Sequence, residues 1–412
     1  MTKRVVITGM ALTSPLGSTV KDAYDRLQIL ENCIEYEKDL DKYGDLHTKL
    51  SARVKGFKVP ESFTRKITRS MGEVALMSVV SAKDAIEDAK LTDNPIISSG
   101  ETGVSYGSSS GSMAAVLDFY AMQINHRVNR LNSNSYVRMM AHTAPVNISL
   151  YFKTKGRLIP TSTACTSGSM GIGFAYETIK SGLQTVMIAG GSDEYNPSNI
   201  GVFDTLFATS TKNSSPKLTP SPFDKNRDGL VIGEGAGTLI LEEYGHAKAR
   251  GAKIYAEIVG FGTNTDGTHI TSPNQETMAK VMELALKSAN LSPSDIDYIN
   301  AHGTGTIAGD IAESQATYMN FKNKCPISTI KSYTGHTLGA CGAIEAILSV
   351  EMMNHSKFCP TLNLETPDEK CAELDYIMKT PRQLEAEYIM SNNFAFGGTN
   401  ASIIFSKKPG DV

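Results

Sequence analysis

Three features that mark particular classes of protein are absent from this sequence of 412 residues. Its 40 basic and 43 acidic residues include no long run of one sign, which argues against nucleic acid as the main partner. No apolar stretch approaches the length needed to cross a bilayer. The start, residues 1–9, is typical of a first strand rather than a signal peptide, so we expect a soluble, cytoplasmic protein without a membrane partner.

The cysteines show no pairing pattern either. None of the six belongs to a CxxC pair or to a Cys/His cluster at metal-ligand spacing. They are Cys33, Cys165, Cys325, Cys341, Cys359 and Cys371. We infer a reducing compartment and no structural zinc.

Strand and helix patterns alternate along the whole chain. Its length exceeds what one hydrophobic core usually supports, so two core units or two related halves are expected. The patterns predict, among other elements, a strand over residues 4–8, a helix over 63–90 and a strand over 102–107. No linker or low-complexity tract divides the chain. These features predict an α/β protein with covered sheets.

One thiol stands at a predicted turn between a strand and a helix. The extended run 158–163 precedes Cys165, and small residues lead from it into a helical run over 174–180. A cysteine in the first turn of such a helix faces unpaired N–H groups and the positive end of the helix dipole, both of which favour thiolate. Most free cysteines are small buried core residues, but this position also suits a nucleophile with an oxyanion hole.

Several loops that follow predicted strands contain groups suited to the same chemistry. His302, Lys331, His336 and Phe396 all stand at strand-to-loop junctions, where ligands gather in open α/β sheets. A neutral imidazole can donate a hydrogen bond to a thioester carbonyl. A helix that begins near Gly339 would disfavour protonation of His336.

Two acidic residues follow His302 at a spacing typical of a helix start. Asp310 and Glu313 have the spacing of a capping box at the opening of the next helix. Glu313 is therefore interpreted as structural rather than as an acid catalyst.

Four of these loops resemble the active-site signatures of β-ketoacyl-[acyl carrier protein] synthases, most closely the type II elongating synthases of fatty-acid biosynthesis. The matching segments are 163–168 (TACTSG), 300–306 (NAHGTGT), 331–340 (KSYTGHTLGA) and 393–400 (NFAFGGTN). Residues 221–230 and 233–237 are also in register, and the match runs from the first strand to Phe405.

The resemblance implies a thiolase-like fold with a five-layered α-β-α-β-α core built from two similar halves. The N-terminal half, residues 1–252, would contain the nucleophilic cysteine. The C-terminal half, residues 253–412, would contain the His, Lys and Phe loops. Members usually form homodimers, and a heterodimer with a related ketosynthase-like chain is the alternative.

The resemblance also implies a reaction. Cys165 would accept an acyl chain from acyl carrier protein, and malonyl carrier protein would then enter. His302 and His336 would donate hydrogen bonds to its thioester carbonyl, so that loss of CO2 leaves an enolate that attacks the acyl group. Lys331 would orient the site, and whether one histidine also activates a water is left open.

Further roles are implied for residues around the reacting groups. Thr304, Thr306 and Phe203 would contact the substrate, the two threonines through its phosphopantetheine arm. Main-chain N–H groups of Cys165 and Phe396 would form the oxyanion hole. No cofactor is implied beyond the phosphopantetheine of the carrier, and no metal.

The loop around Phe396 would also control access. Phe396 would gate the acyl tunnel, and its neighbours Gly397 and Gly398 would supply backbone freedom. Ala395 stands where the family often has glycine, which could stiffen the gate.

The expected contacts with the carrier protein differ from the family pattern. Phe207 lies where bacterial members carry arginine, and Ser70 replaces a frequent lysine. The cations expected to dock the carrier are Arg65, Lys66, Arg69, Arg127 and Arg130. These departures leave room for a synthase dedicated to an aryl polyene or type II polyketide pathway, possibly paired with a chain-length factor.

Two further classes were weighed. A chain-length factor usually lacks the cysteine, so Cys165 with both histidines argues against it. A degradative thiolase would have a second catalytic cysteine near Phe396, and Cys341 stands in a predicted helix instead. Chain length, starter unit, pathway and dimer partner are left open by the sequence.

Overall fold

The computed structural model describes residues 2–129 and 131–407. Its strands are β1 (Val5–Thr13), β2 (Glu35–Tyr36), β3 (Leu50–Ser51), β4 (Thr102–Gly107), β5 (Leu158–Thr161), β6 (Val186–Asp193), β7 (Gly235–Glu243), β8 (Ala256–Thr265), β9 (Tyr298–Asn300), β10 (Pro326–Ser328), β11 (Lys357–Phe358), β12 (Asp375–Tyr376), β13 (Arg382–Gln383), β14 (Tyr388–Ala395) and β15 (Thr399–Ser406). Its α-helices are α1 (Val20–Ile29), α2 (Arg65–Thr68), α3 (Glu73–Asp88), α4 (Ile96–Ser99), α5 (Met113–Asn125), α6 (Ser133–Met139), α7 (Thr143–Phe152), α8 (Ser167–Lys180), α9 (Pro197–Asp204), α10 (Tyr244–Ala249), α11 (Gln275–Ala289), α12 (Ile307–Phe321), α13 (Lys331–Thr334) and α14 (Cys341–Asn354).

The main sheet has 11 strands in the order β12-β10-β9-β14-β15-β8-β1-β7-β6-β4-β5. In the first half, β4 pairs in parallel with both β5 and β6. Strand β7 pairs antiparallel with β6, and β1 pairs antiparallel with β7. In the second half, a parallel group consists of β12, β10, β9 and β14. Strand β15 pairs antiparallel with β14, and β8 pairs antiparallel with β15. The two halves thus repeat one pattern of five strands, to which the second half adds the edge strand β12, and the short antiparallel pairing of β1 with β8 joins them.

Helices α8 and α14 form the middle layer of the molecule. Helix α8 packs against β4 and β6 of the first half and against β8 and β15 of the second, while α14 contacts both β7 and β14. Helices α3 and α7 cover the outer face of the first half, and α11, with α12 beside it, covers the second. The predicted α/β class and five-layered core are therefore confirmed.

Small residues allow the two middle helices to cross closely. A Cβ atom on Gly168 of α8 would lie 2.9 Å from the backbone nitrogen of Ala343 and 2.9 Å from the carbonyl oxygen of Gly339. Most residues of both helices are buried, as expected for helices that are apolar on all sides. This close crossing fixes the segment after His336 beside the turn that contains Cys165.

Two predicted elements have different bounds in the structure. Strand β1 continues to Thr13 instead of ending at residue 8, because Gly9 permits close packing of α3: a Cβ there would lie 2.3 Å from the carbonyl oxygen of Ala85. The helix predicted over 63–90 is two helices, α2 and α3, separated at Gly72, which is extended and lies against Ser112. The strand over 102–107 is confirmed as β4.

The domain boundary near residue 252 stays a prediction. Strands β1 to β7 belong to the first half and β8 onward to the second, and helix α10 connects β7 to β8.

Within residues 2–129 and 131–407, the structure has no helix that is both long and apolar enough to cross a membrane.

Candidate active site

A cavity of about 320 Å³ opens where several loops from both halves meet. Cys165 lines it from the turn after β5, and His302 lines it from the loop after β9. His336 contributes from the segment before α14, and Phe396 from the turn between β14 and β15. The structure thus brings together these four residues, which stand far apart in the sequence.

Cys165 lies in a strained turn. It is the middle residue of a 3-10 turn, Ala164–Thr166, which leads directly into α8. Ala164 has a φ of 50°, in the left-handed region, and the Ser167 hydroxyl donates to its carbonyl oxygen at 2.7 Å. Strain of this kind persists only where neighbouring contacts hold it, and it aims the buried thiol into the cavity. The helix begins earlier than the predicted residue 174, because small residues permit its close packing.

The protonation expected for the cysteine is wrong. Burial raises the pKa of the Cys165 thiol to about 11, whereas Lys331 and the backbone N–H groups of Phe396 and Cys165 lower it by less. Desolvation therefore outweighs the helix terminus, and the resting residue is a thiol. The two N–H groups nevertheless point at the sulfur, which is the arrangement expected of an oxyanion hole.

The two histidines face each other beside the thiol. Their ring centroids are 5.2 Å apart with an interplanar angle of 89°, and ring nitrogens of both lie within 4.8 Å of the Cys165 sulfur. Burial, followed by the charge of Lys331, holds the pKa of both imidazoles well below the ordinary value. Both are therefore neutral, although burial rather than the helix start near Gly339 is the main cause for His336.

A backbone hydrogen bond fixes the proton of His336. The N–H of Leu338 donates to His336 Nδ1 at 3.1 Å, so the ring proton must be on Nε2. That Nε2 atom is buried and has no partner among the described residues. It is therefore a hydrogen-bond donor available to a ligand in the cavity.

A side-chain amide fixes the proton of His302 in the same way. Asn393 Nδ2 donates to a carboxylate oxygen of Glu345 at 2.8 Å, and a carboxylate can only accept. This identifies the amide nitrogen, which also lies 3.1 Å from His302 Nδ1. The Asn393 oxygen accepts from the Ser169 hydroxyl. His302 Nδ1 is thus an acceptor, and the proton of its neutral ring is on Nε2.

Lys331 and Glu345 form a buried ion pair behind the histidines, with their atoms 2.5 Å apart. Burial opposes the charge on Lys331, yet its neighbours, among them Glu345, raise its pKa. Within this pair, the charge of Lys331 adds to the effect of burial, which is the main cause of the neutral histidines.

Sequence reasoning missed Glu345 and Asn393 as site residues. Glu345 is a lone acidic residue in the otherwise apolar first turns of α14, which is a signal that could have revealed it. Asn393 lies inside a recognised signature, but nothing in the sequence shows what it contacts.

The Cys165, His302 and His336 cluster has the residue types of a metal site but not its hydrogen bonds. A histidine that ligates through Nε2 normally donates from Nδ1 to an acceptor. Here both Nδ1 atoms face N–H donors, from Leu338 and Asn393. The donor set does not fit a metal ion.

The turn around Phe396 combines a packed ring with an open backbone. The Phe396 ring lies 5.0 Å from the Phe203 ring, and both line the cavity. Gly397 has a φ of 84° with free space around it, and Gly398 has a φ of 70°. The N–H of Gly397 donates to the carbonyl oxygen of Ile270 at 2.8 Å, which couples this turn to the neighbouring segment 266–273.

The threonines predicted to bind substrate also line the cavity. The hydroxyls of Thr304 and Thr306 are 2.9 Å apart, on the side occupied by the start of α12.

The capping-box interpretation of Asp310 and Glu313 is wrong, because α12 already begins at Ile307. Both carboxylates instead bind backbone N–H groups of the preceding loop. Glu313 accepts from His302 and Gly303 at 2.7 Å each.

Asp310 accepts from Gly305 at 3.1 Å and from Phe223 at 2.7 Å. These contacts support the expected structural role, because they hold the loop that presents His302.

None of the described cations expected to dock the carrier lines the cavity. Of the described ones, Arg65 and Lys66 lie on α2, Arg69 ends it, and Arg127 follows α5. Arg130 lies outside the described residues. Their role stays a prediction.

The two positions that depart from the family pattern have different surroundings. Ser70 is partly buried and donates to Asn147 at 2.7 Å, whereas Phe207 is exposed at the cavity opening.

Comparisons with known proteins agree with this site. Residues 2–247 match the family model for the β-ketoacyl synthase N-terminal domain, and residues 255–365 match that for its C-terminal domain. A 3-oxoacyl-[acyl-carrier-protein] synthase 2 from Vibrio harveyi is 35% identical, over 98% of this chain and 99% of that protein.

Solved structures show the same likeness. A β-ketoacyl synthase from Burkholderia phymatum is 53% identical with a TM-score of 0.97, over 98% of this chain and 100% of that chain. A ketosynthase in complex with its type II polyketide acyl-carrier protein is 28% identical with a TM-score of 0.88, over 99% and 100% of the two chains.

These findings define the class first: the protein is an acyltransferase with the thiolase-like fold. Within that class, the chain belongs to the β-ketoacyl synthase family. A degradative thiolase is disfavoured by the position of Cys341, whose thiol donates to the Cys165 carbonyl oxygen at 3.2 Å from behind the nucleophile.

Proposed function

We propose that the protein is a 3-oxoacyl-[acyl carrier protein] synthase that lengthens an acyl chain by two carbons through decarboxylative Claisen condensation. One observation supports this most strongly. Two neutral imidazoles, each with its proton on Nε2, lie within 4.8 Å of a thiol that two backbone N–H groups face. That arrangement offers one set of donors for each of the two thioester carbonyls that the reaction requires.

The first step transfers the acyl group to Cys165. The sulfur attacks the carbonyl carbon of the acyl carrier thioester, and the bond to the carrier sulfur breaks. The thiol proton ends on the departing carrier thiol. The N–H groups of Cys165 and Phe396 hold the negative oxygen of the tetrahedral intermediate.

The second step makes the carbon nucleophile. The thioester carbonyl of malonyl carrier protein accepts hydrogen bonds from Nε2 of His302 and His336. The bond to the carboxylate breaks, CO2 leaves, and the electron pair forms the enolate. The enolate carbon then attacks the acyl carbonyl, and the Cys165 sulfur departs as a thiolate that takes up a proton from solvent.

The remaining residues position these groups. Burial, followed by the charge of Lys331 beside Glu345, keeps the imidazoles neutral, so that they donate without becoming cations. Thr304 and Thr306 contact the phosphopantetheine arm, and Phe396 over Phe203 controls entry of the acyl chain. No cofactor or metal beyond the carrier's phosphopantetheine takes part, and the enzyme acts in the cytoplasm.

Mass spectrometry of products from a panel of acyl and malonyl carrier proteins tests this function. The wild type should give the chain lengthened by two carbons, and Cys165→Ala should give none. Cys33→Ala, at a cysteine outside the cavity wall, is the control. Elongation by Cys165→Ala would exclude the proposed nucleophile.

A specialised polyene or polyketide pathway is the second candidate. Ala395 lines the cavity beside Phe396, and its methyl group narrows the backbone conformations of the gate. Ala395→Gly should weaken preference for a rigid unsaturated starter if the pocket is shaped for one. If the gate must swing for fatty acyl chains, the same change should instead speed acylation by long saturated ones. Single-turnover acylation with both kinds of carrier separates the two.

We also propose that the protein works as a dimer, with itself or with a related ketosynthase-like chain. Strand β5 is the last strand at one edge of the main sheet. Helix α5 exposes the large apolar residues Leu117, Tyr120 and Ile124. Light scattering of the purified chain, alone and with candidate partners, distinguishes the homodimer from the heterodimer.

A further inference from the structure

A buried carboxylate that the proposed reaction does not use lies at the end of β6. Asp193 is the last residue of that strand, and its side chain is fully buried outside the cavity wall. Within the part of the chain that the structure describes, no lysine or arginine forms an ion pair with it, and its hydrogen bonds come from neutral donors. Burial of a charge is costly without a cation, so these hydrogen bonds alone stabilise it.

One carboxylate oxygen of Asp193 joins two separate segments. Its Oδ2 accepts from the N–H of Gly339 at 2.6 Å, and from the N–H and the hydroxyl of Ser109 at 3.0 and 2.6 Å. Ser109 belongs to the loop after β4 in the first half, whereas Gly339 belongs to the 3-10 turn Leu338–Ala340 in the second. Asp193 thus connects the segment after His336 to the half that contains Cys165.

The ionised form of Asp193 accepts these hydrogen bonds. Burial raises the pKa of Asp193 to about 6, and its three donors lower it by less. At about pH 8 the group is therefore ionised, and hydrogen bonds to an ionised acceptor are stronger than those to a neutral one. The other oxygen, Oδ1, is buried and has no partner among the described residues. A proton taken up at lower pH binds to Oδ1, so Oδ2 keeps its donors.

The contact with Gly339 fixes the peptide unit that follows Leu338. Leu338 has a φ of 52°, in the left-handed region, and such strain persists only where neighbouring contacts hold it. On one side of its Cα atom, the Leu338 N–H donates to His336 Nδ1. On the other side, the Gly339 N–H donates to Asp193. Both N–H directions depend on one backbone conformation, so the second hydrogen bond holds the first.

The backbone of His336 has anchors that do not involve Asp193. Its N–H donates to the carbonyl oxygen of Val231 at 2.7 Å, and its own carbonyl oxygen accepts from Gly233 at 2.9 Å. By contrast, the turn depends on a close approach to the carboxylate, because a Cβ atom on Gly339 would lie 2.7 Å from Asp193 Oδ2. Loss of the carboxylate should therefore free the turn without moving the His336 backbone.

We propose that Asp193 is a positioning residue for His336, and that it holds the Leu338–Ala340 turn so that the Leu338 N–H keeps the ring proton on Nε2. This inference rests on the proposed function, in which that proton is donated to the malonyl thioester. Without Asp193 the turn relaxes, Nδ1 loses its fixed donor, and the ring proton can move to Nδ1.

Asp193→Ala should affect the two half-reactions differently. Release of CO2 from malonyl carrier protein should slow about tenfold, because Nε2 of His336 then has its proton in only part of the molecules. Acylation of Cys165 should stay equal or become slightly faster, because the charge of Asp193 is one of the smaller causes that raise the pKa of the thiol. General structural damage would slow both half-reactions.

Zinc sensitivity reports the tautomer of His336 separately from its rate. When Nδ1 has the proton, the Nε2 lone pair is free to ligate a metal ion together with the Cys165 sulfur, which lies within 4.8 Å. Zn²⁺ should therefore inhibit acylation of Asp193→Ala at a concentration about tenfold lower than that needed for the wild type.

Two control variants isolate the contact with Gly339. Asp193→Asn keeps an oxygen that can accept at the Oδ2 position, so it should retain most of the CO2 release. Ser109→Ala removes one donor to the carboxylate but leaves the Gly339 contact in place. It should change neither half-reaction nor the zinc sensitivity.

The proposal is overturned if Asp193→Ala releases CO2 at the wild-type rate, if it slows both half-reactions equally, or if its zinc sensitivity equals that of the wild type. If Asp193→Ala does not unfold cooperatively, Asp193→Val, which suits a strand, takes its place in the same measurements. Failure of both variants to fold would make Asp193 a residue of general stability and would equally overturn the proposal.

Failure of the proposed function has a different signature. In that case the wild-type protein itself would form no acyl enzyme and would release no CO2 from malonyl carrier protein. A wild type that does both, beside an Asp193→Ala variant that matches it, would contradict only the role of Asp193.

Discussion

The tautomers of the two histidines are set by different kinds of hydrogen-bond donor. For His336 the partner is the backbone N–H of Leu338, which no substitution can remove without moving the chain. For His302 it is the amide of Asn393, whose orientation is set by Glu345. A substitution of the side chain that contacts the ring can therefore change the tautomer of His302 but not that of His336.

Asn393→Asp should reverse the tautomer of His302. The new carboxyl group contacts Glu345, so the two groups share one proton. Its remaining lone pair accepts the proton of Nδ1, so Nε2 loses its hydrogen and cannot donate to the thioester carbonyl. We expect release of CO2 from malonyl carrier protein to slow by about 100-fold, while acylation of Cys165 is retained. The freed Nε2 lone pair would join the thiol as a metal ligand, so Zn²⁺ should inhibit the variant at lower concentration than the wild type.

Asn393→Ser serves as the comparison, because it removes the donor without supplying a carboxylate. It should slow CO2 release less and leave zinc sensitivity unchanged. If both variants and the wild type share one zinc sensitivity, the tautomer assignment of His302 is wrong.

The pH dependence follows from the direction of the histidine pKa shifts. Burial and Lys331 hold both pKa values well below the ordinary value of 6.5, so lowering the pH from 8 to about 6 does not protonate either ring. CO2 release from malonyl carrier protein by Cys165→Ala should therefore stay constant over that range. A decline with a midpoint near 6.5 would show that an imidazole titrates normally.

At the scale of elements, the crossing of α8 and α14 connects stability with the site. Gly168→Ala would place a Cβ atom 2.9 Å from backbone atoms of Ala343 and Gly339, so α14 must shift. We expect the free energy of unfolding to fall by about 1–3 kcal/mol. Acylation should slow as well, because Cys165 precedes Gly168 by one turn. Denaturant unfolding and single-turnover acylation measure the two effects.

Gly201→Ala in α9 is the matched control. No heavy atom lies within 4 Å of the added Cβ, and alanine is the better helix former. It should leave stability equal or slightly higher. If Gly168→Ala and Gly201→Ala lowered the free energy of unfolding equally, the crossing of α8 and α14 would not be as close as inferred.

Elements could be predicted from sequence where local pattern decides them. Strand β4 has its predicted bounds. Strand β1 was predicted to end at residue 8, but it continues through Gly9, which permits close packing against α3. The start of α12 was missed for a similar reason. The spacing of Asp310 and Glu313 is that of a cap, but both carboxylates bind backbone N–H groups of the loop that precedes α12, a contact that the spacing does not reveal.

Site residues likewise divide into those that the sequence pattern predicts and those that depend on contacts in the folded chain. Cys165, His302, Lys331 and His336 stand in loops after strands, so their convergence followed from the rule that ligands gather at strand ends. Asn393 and the thiol pKa could not be predicted, because hydrogen-bond partners and desolvation depend on burial in the folded chain.

At the scale of the whole molecule, each half supplies one part of the reaction. The first half contributes Cys165 and its helix, and the second contributes both histidines and the ion pair of Lys331. Neither half contains a complete site, which is why the middle layer of two helices must align them.

The half-reactions of His336→Ala test this division of labour most directly. Intact-mass measurement should still find the acyl group on Cys165, because the thiol and its oxyanion hole are unchanged. Release of CO2 from malonyl carrier protein should fall by at least about 100-fold, because the enolate oxygen loses a donor. Release of CO2 at the wild-type rate by His336→Ala would contradict the assignment of the histidines as donors to the malonyl thioester.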